Sequence, residues 1–576
     1  MRLATRFFPS GMARSSVLLV AFLMLIPTLT VATPGDTLEH GDAELGKQLY
    51  WRGTTADGKP TNAVTGAGIV LSGLQLSCVS CHRPSGFGSS EGGKYVPPIT
   101  GPILFAPREL NRNRIFYKMF KEAQPSQFSA RLREPRMRPA YIAATLARAI
   151  RDGVDPVDRT FDPEMPRSDL SDSDMANLIA YLKTLSVTHD PGIEKDTIHF
   201  ATIVTDDTDP NQRDAVLNTI STFVEWMNTR VAGNRGRPNF SPNYHSDFQN
   251  SFQRWQMHVW SLHGSPETWT EQIRAQYNQR PVFAVVSGLV QGSWTPISRF
   301  CDAEHIPCIF PNTELPRTTD SDYGYSLYFS RGLELEAEVL ARFLVGKIPR
   351  NGSIVQIHYN DSYGLTPADA FSHAARSQMP HARLQSMQVS NAEELGRAIH
   401  LSTEKGKTPD ALILWPGQNL EDAVVDLRAL KSEVKIISLP ADALDSLPPG
   451  SSSALPKNLV FTYPYDLPTA YSPRVFRVRQ WMNSRKLAIT YPRLQFQTYY
   501  ALTLLQFGLD EILDDYFRDY LIEAMEHEAE SHLDNGTHPA LALGPGQRFA
   551  SKGAYVVRIN PTSRGGFQAI SNWIVP

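Results

Sequence analysis

The sequence predicts a multidomain chain: a small all-helical module followed by a larger two-lobed α/β body. Three observations carry this. Between residues 38 and 187, apolar residues recur at helical spacing on either side of one compact pentad, Cys78-Val79-Ser80-Cys81-His82. From residue 197 onward, short β-branched runs alternate with amphipathic helical segments, the pattern of parallel sheets covered by helices. Between them, residues 188–196 contain Asp190-Pro191-Gly192 and no hydrophobic pattern, and read as a linker.

Composition sets the outer limits. The 576 residues are 41% apolar and 20% charged with a formal net charge of −3, so nothing favours nucleic acid or a membrane surface as a partner. The first residues differ. Arg2, Arg6 and Arg14 precede the apolar run Val17 to Ile26, followed by Thr30-Val31-Ala32. That run is too short for a membrane span and fits the apolar region of a secretory leader over residues 1–32, cleaved after Ala32. The expectation is a soluble, exported, periplasmic protein with no stable membrane span after leader removal.

In the first module, Asp42 is placed to cap a helix through Trp51, with Leu45, Leu49 and Tyr50 near one face and Gly46 allowing close helix contact. Residues 52–76 read as loop and short turns. The pentad follows. Two thiols three residues apart with an adjacent imidazole can bond both vinyl groups of one haem and place a nitrogen under its iron. A redox dithiol or half of a zinc site uses the same thiol spacing, but the only other cysteines, Cys301 and Cys308, lie far along the chain. A haem-ligating histidine needs a carbonyl for its second nitrogen, and Pro97, Pro98 and Pro102 are the candidates to provide it. Met165, in a proline-flanked loop, is the candidate sixth ligand, with Met137 its rival. A helix capped by Ser171 or Asp172 then runs to Leu185.

The leading helix, the pentad, the Gly101-Pro102 turn, the Met165-Pro166 loop and the segment Leu178-Ile179-Ala180-Tyr181-Leu182 together resemble a class I monohaem cytochrome c. The resemblance implies an all-α cytochrome c domain with crossing end helices, Gly46 and Tyr50 meeting Tyr181 and Leu182. It also implies one covalent haem c on Cys78 and Cys81, and an axial pair of His82 and Met165 on the iron. That ligand pair implies electron transfer with a redox protein partner. The segment Arg108 to Arg151 is longer and more basic than a minimal member requires; its cations could steer an acidic partner, neutralise propionates or simply face solvent.

In the second module, residues 197–576, the expected strands are Ile198 to Thr205, Val282 to Ser287, Ile306 to Phe310, Ile354 to Tyr359, Ala411 to Trp415, Val434 to Leu439 and Leu459 to Thr462. Ligands of such sheets bind in the loops at the carboxyl ends of the strands. Those loops hold Ser287, Ser293 and Thr295 in the first lobe and Tyr359, Asp361 and Tyr363 in the second, with hydroxyls that serve either a ligand or ordinary helix capping. The element order, with Val285-Val286-Ser287-Gly288 and the ending Leu543-Gly544-Pro545-Gly546, resembles type I periplasmic binding proteins of the leucine/branched-chain amino acid receptor class. That implies a small-molecule ligand; Trp294, expected at the pocket rim, argues against an α-amino acid. Cys301 and Cys308 flank a helix-to-strand turn and are either a disulfide or two buried thiols. His258, His263 and His305 read as surface or core residues.

No nucleophile–base set, phosphate loop or zinc-protease motif is present, and the chain reads as a carrier rather than an enzyme. The expectation is a periplasmic c-type cytochrome transferring single electrons, with a C-terminal domain for a small ligand or redox partner. A transport receptor with an accessory haem, and the electron-accepting part of a periplasmic dehydrogenase, are the alternatives.

Overall fold

The computed structural model describes residues 38, 40–65, 68–91, 94–109, 137–235, 253–318, 324–404, 408–417, 420–430, 433–445, 447, 455–468, 473–531, 537–539 and 541–576. The expected leader and residues 110–136 of the basic stretch lie outside them.

Helix α1 (Ala43–Arg52) begins where the Asp42 carboxylate accepts from the Glu44 and Leu45 amides and ends at Gly53, whose φ of 60° suits a residue without Cβ. Strands β1 (Asn62–Val64) and β2 (Val70–Ser72) form an antiparallel hairpin. The one-turn helix α2 (Val79–His82) carries the pentad, and the hairpin of β3 (Ser89–Glu91) and β4 (Lys94–Val96) leads to a second one-turn helix, α3 (Gly101–Leu104). Strand β5 (Arg108–Glu109) pairs with β6 (Met137–Arg138), and α4 (Ala143–Asp152), β7 (Arg167–Ser168) and α5 (Asp172–Thr184) follow.

Contacts divide the chain into two compact units. The smaller holds residues through Ser77 with Pro139–Leu182, and the larger holds Cys78–Arg138 with Lys183–Pro576.

In the smaller unit α1 and α5 touch at Gly46, where an added Cβ would meet the Asn177 carbonyl oxygen at 2.0 Å. Tyr50 and Tyr181 rings lie 5.2 Å apart, Trp51 Nε1 donates to Tyr181 Oη at 3.2 Å, and Ser171 caps α5 through the Asp174 amide. The module is not purely helical: β1, β2 and β7 form a three-stranded sheet in the order β2-β1-β7. Strands of two or three residues are too short to leave an alternating pattern in sequence.

The larger unit contains two sheets. The first lobe runs β8 (Thr197–Thr205), α6 (Pro210–Arg235), β9 (Arg254–Leu262), α7 (Trp269–Gln279), β10 (Ala284–Val286), α8 (Thr295–Ala303), β11 (Cys308–Ile309) and β12 (Ser326–Leu327). The second runs α9 (Leu333–Leu344), β13 (Ser353–Tyr359), α10 (Ser362–Gln378), β14 (Arg383–Val389), α11 (Ala392–Ser402), β15 (Ala411–Trp415), α12 (Leu420–Ala429), β16 (Ile436–Leu439), α13 (Ala441–Asp445) and β17 (Leu459–Tyr463). Helices α14 (Pro473–Ser484), α15 (Pro492–Ile512) and α16 (Arg518–Ser531) return to the first lobe, before β18 (Tyr555–Ile559) and β19 (Phe567–Ala569) close the second.

The first sheet is parallel in the order β12-β11-β10-β8-β9. The second has the order β14-β13-β15-β16-β17-β18-β19, parallel through β17 and antiparallel after it. In each lobe the first two strands run one way from the start and the rest the other, so the winding reverses between β8 and β10 and between β13 and β15. That reversal opens a crevice at the strand ends. Helices α6 and α14–α16 cover one face of the first sheet and α7 and α8 the other. The backbone passes between the lobes three times: from β12 to α9, from β17 to α14, and from Phe549, bridged to Tyr328, into β18.

Candidate functional site

Cys78 and Cys81 are free thiols at the two ends of one helical turn, closed by the His82 amide donating to the Cys78 carbonyl at 2.8 Å. His82 is buried, and its Nδ1 lies 3.0 Å from the carbonyl oxygen of Pro97, which resolves the choice among the three prolines. With Nδ1–H donating there, Nε2 keeps its lone pair for a metal. Burial holds His82 down to about 4, so the ring is neutral at ordinary pH, and burial pushes the Cys78 thiol up to about 12. Two thiols one turn apart beside a neutral, oriented imidazole fit covalent haem attachment. Gly88 permits the close return of the chain, since a Cβ there would meet the Val96 carbonyl oxygen at 2.2 Å.

Met165 lies in the smaller unit in a turn where its amide donates to the Asp162 carbonyl at 3.1 Å and its carbonyl accepts from Arg167 Nη1 at 2.5 Å. Met137 is 52% exposed, beside Arg138 in β6.

The turn after His82 is fixed to α16 by residues that sequence reasoning did not single out. Glu523 accepts from the Ser85 amide at 2.8 Å and its hydroxyl at 2.6 Å; Phe87 stacks on Tyr520 with centroids 4.2 Å apart; Arg83 pairs with Glu526. Burial pushes Glu523 up to about 8. The expected linker is held too. The Arg518 amide donates to Asp190 at 2.7 Å, and its guanidinium donates to the carbonyls of Pro191, Val282, Phe283 and Glu304. These partners are separated by hundreds of positions, and no local pattern marks them.

In the two-lobed body the expected ligand residues separate into groups. Ser287 is fully buried and shares a network with Thr498 and Asn312 at 3.0 and 3.1 Å. Ser293 accepts from the Thr295 amide and donates to its hydroxyl, as a local cap of α8, and Asp361 caps α10 through Gly364. Tyr359 is buried in the second lobe's core. Tyr363 does join the lobes: its Oη accepts from the Gly292 amide at 3.0 Å. Tyr465 to Glu314 at 3.1 Å connects loops of the two lobes, and Arg493 to Asp442 at 2.6 Å connects the first turn of α15 to α13.

Trp294 is not at a pocket rim. It is fully buried in the first lobe's core and donates to Cys308 Sγ at 3.3 Å, which removes the sequence argument against an α-amino acid. Cys301 and Cys308 are free, fully buried thiols hydrogen-bonded to one another, and the bond with burial raises the Cys301 thiol. His258 pairs with the buried His199 at 3.0 Å, His263 with Asp206 at 3.0 Å, and His305 stacks on Tyr325. Among the described residues no cluster of three or more His, Cys, Asp or Glu forms a metal site, and no helix is long and apolar enough to cross a membrane.

Residues 72–186 match the family model of cytochrome c. The chain carries a cytochrome c domain. The matched span contains the pentad, Pro97 and Met165, and a cytochrome c domain implies covalent haem and electron transfer through it. The body beyond it has a periplasmic-binding-protein fold. It is similar to a branched-chain amino acid ABC transporter protein from Thermus thermophilus with bound valine, at 9% identity and TM-score 0.50 over 67% of this chain and 97% of that one. It is also similar to a fatty acid ABC transporter substrate-binding protein from Thermomonospora curvata, at 14% identity and TM-score 0.47 over 68% and 95%. A leucine-binding protein from Thermotoga maritima matches at 11% identity and TM-score 0.45 over 66% and 99%. Among curated proteins none matches the sequence.

Proposed function

We propose that the protein is an exported, periplasmic electron carrier with one haem c, whose binding-protein-like body receives a small molecule or docks a redox partner. The observation that carries this is His82, buried and neutral with Nδ1 on the Pro97 carbonyl, one turn after two free thiols. Bound haem supplies single-electron exchange at its iron. Cys78 and Cys81 would hold it by thioether bonds and His82 Nε2 would supply a nitrogen ligand to its iron; Met165 is the proposed sulfur ligand. The chain is read as a carrier and not an enzyme.

A second reading is a solute receptor with an accessory haem. It is favoured by the Gly292–Tyr363 contact, which brings together loops at the winding reversals of both sheets, where such folds bind ligands.

The test is expression in a host that matures c-type cytochromes. The purified chain is expected to be red, with a sharp reduced α-band and haem that stays with the polypeptide on denaturation; Cys78→Ala with Cys81→Ala loses that attachment. Met165→Ala is expected to remove the long-wavelength sulfur-to-iron charge-transfer band while leaving attachment intact. A colourless chain would overturn the electron-carrier reading. Retention of the sulfur band in Met165→Ala would overturn the assignment of Met165.

A further inference from the structure

Glu526 on α16 has two sets of partners. One carboxylate oxygen takes Arg83, the residue next to His82. The other takes Arg548 Nη1 at 2.6 Å and the Gly546 amide at 3.2 Å. All three side chains are at most 10% exposed.

Gly546 and Arg548 belong to the third passage between the lobes. The Tyr328 amide donates to the Arg548 carbonyl at 2.8 Å and the Ala550 amide to the Tyr328 carbonyl at 3.0 Å, beside the first sheet. Five residues later the chain enters β18 of the second. Arg548 Nε also donates to the Gly324 carbonyl, just before β12 and the first passage. One buried carboxylate therefore holds both the residue beside the candidate iron ligand and one of the three backbone passages between the lobes.

We infer that Glu526 is a positioning residue that couples the oxidation state at the His82 side to the relative disposition of the two lobes. The inference rests on the electron-carrier reading above. A one-unit change of charge at an iron held by His82 would act on an Arg–Glu–Arg set sheltered from solvent, where screening by water and salt is weak. By linkage the coupling is reciprocal: whatever shifts the lobes shifts the iron's redox equilibrium by the same free energy.

Amide hydrogen exchange of the full-length haem-loaded protein tests it, with the protein first ferric and then reduced by dithionite. Peptides covering Tyr328, Gly546, Ala550 and Ser551 are expected to exchange at rates differing by at least about threefold between the two states. Arg548→Ala leaves the Arg83–Glu526 pair in place and is expected to abolish that difference. Glu393→Gln, on the exposed face of α11, is expected to retain it. Equal exchange in both states of the redox-active wild type would overturn the inference and leave the electron carrier standing. A difference that survives in Arg548→Ala would also overturn it. A chain with no reducible haem would overturn both readings. Should Arg548→Ala fail to mature, Arg548→Lys, which keeps the charge but not the forked contact, is expected to reduce the difference, and an unchanged difference there counts against the coupling.

Discussion

At the scale of single residues, the pentad was legible because its chemistry depends on spacing within one helical turn, and the structure adds only which carbonyl orients His82. Arg83 and Glu526 were not legible: 443 positions separate them, and an arginine and a glutamate are ordinary in any sequence. Gly46 was legible, since a helix contact with no room for Cβ leaves few alternatives. Gly46→Ala is expected to destabilise the chain by about 1–3 kcal/mol, read from its chemical denaturation curve. Glu523 makes a pH prediction. Its carboxyl is raised from an ordinary 4.5 to about 8 by burial, so between those values the folded state binds more protons than the unfolded one. The stabilisation is full below about pH 4.5 and lost as pH rises through about 8. Denaturation midpoints measured at pH 5 and pH 8 should fall with pH in the wild type and fall less in Glu523→Gln.

At the scale of elements, the central strands were readable and the edges were not. β8 and β15 are buried along their whole length; β15 appears in sequence as the continuous apolar run Ala411 to Trp415, and β8 as Ile198, Phe200, Ala201, Ile203 and Val204 set among His199 and threonines. β9 and β14 lie at sheet edges and alternate with exposed polar positions, as in Arg254-Trp255-Gln256 and Arg383-Leu384-Gln385, so no apolar run announces them. The strand-end loops were located correctly, but side-chain direction inside them was not, and that is why Trp294, Ser287 and Tyr359 turned out to be core residues. Tyr363 is the informative one. Tyr363→Phe removes the acceptor of the Gly292 amide, worth about 1 kcal/mol, and the expected result is roughly fivefold faster exchange at that amide.

At the scale of the whole molecule, α16 is the common platform for the pentad's turn, the segment around Asp190 and Pro191 and the first sheet. Shortening the chain to residues 188–576 would uncover Tyr520 and leave Glu523 without Ser85. Its thermal midpoint is expected to lie at least about 3 °C below that of the haem-free full chain, measured by circular dichroism. The two modules were legible as separate textures. Their attachment was not, because it is made by residues that each look like surface.

The three passages between the lobes have a mechanical implication. Separate backbone links running between two bodies oppose twisting and sliding more than they oppose flexing, so the easy motion is a swing about the line they define. Because the turn beside His82 is anchored to α16 on the first lobe, a swing of the second lobe would be felt there through Arg548, which sits on the third link and pairs with Glu526.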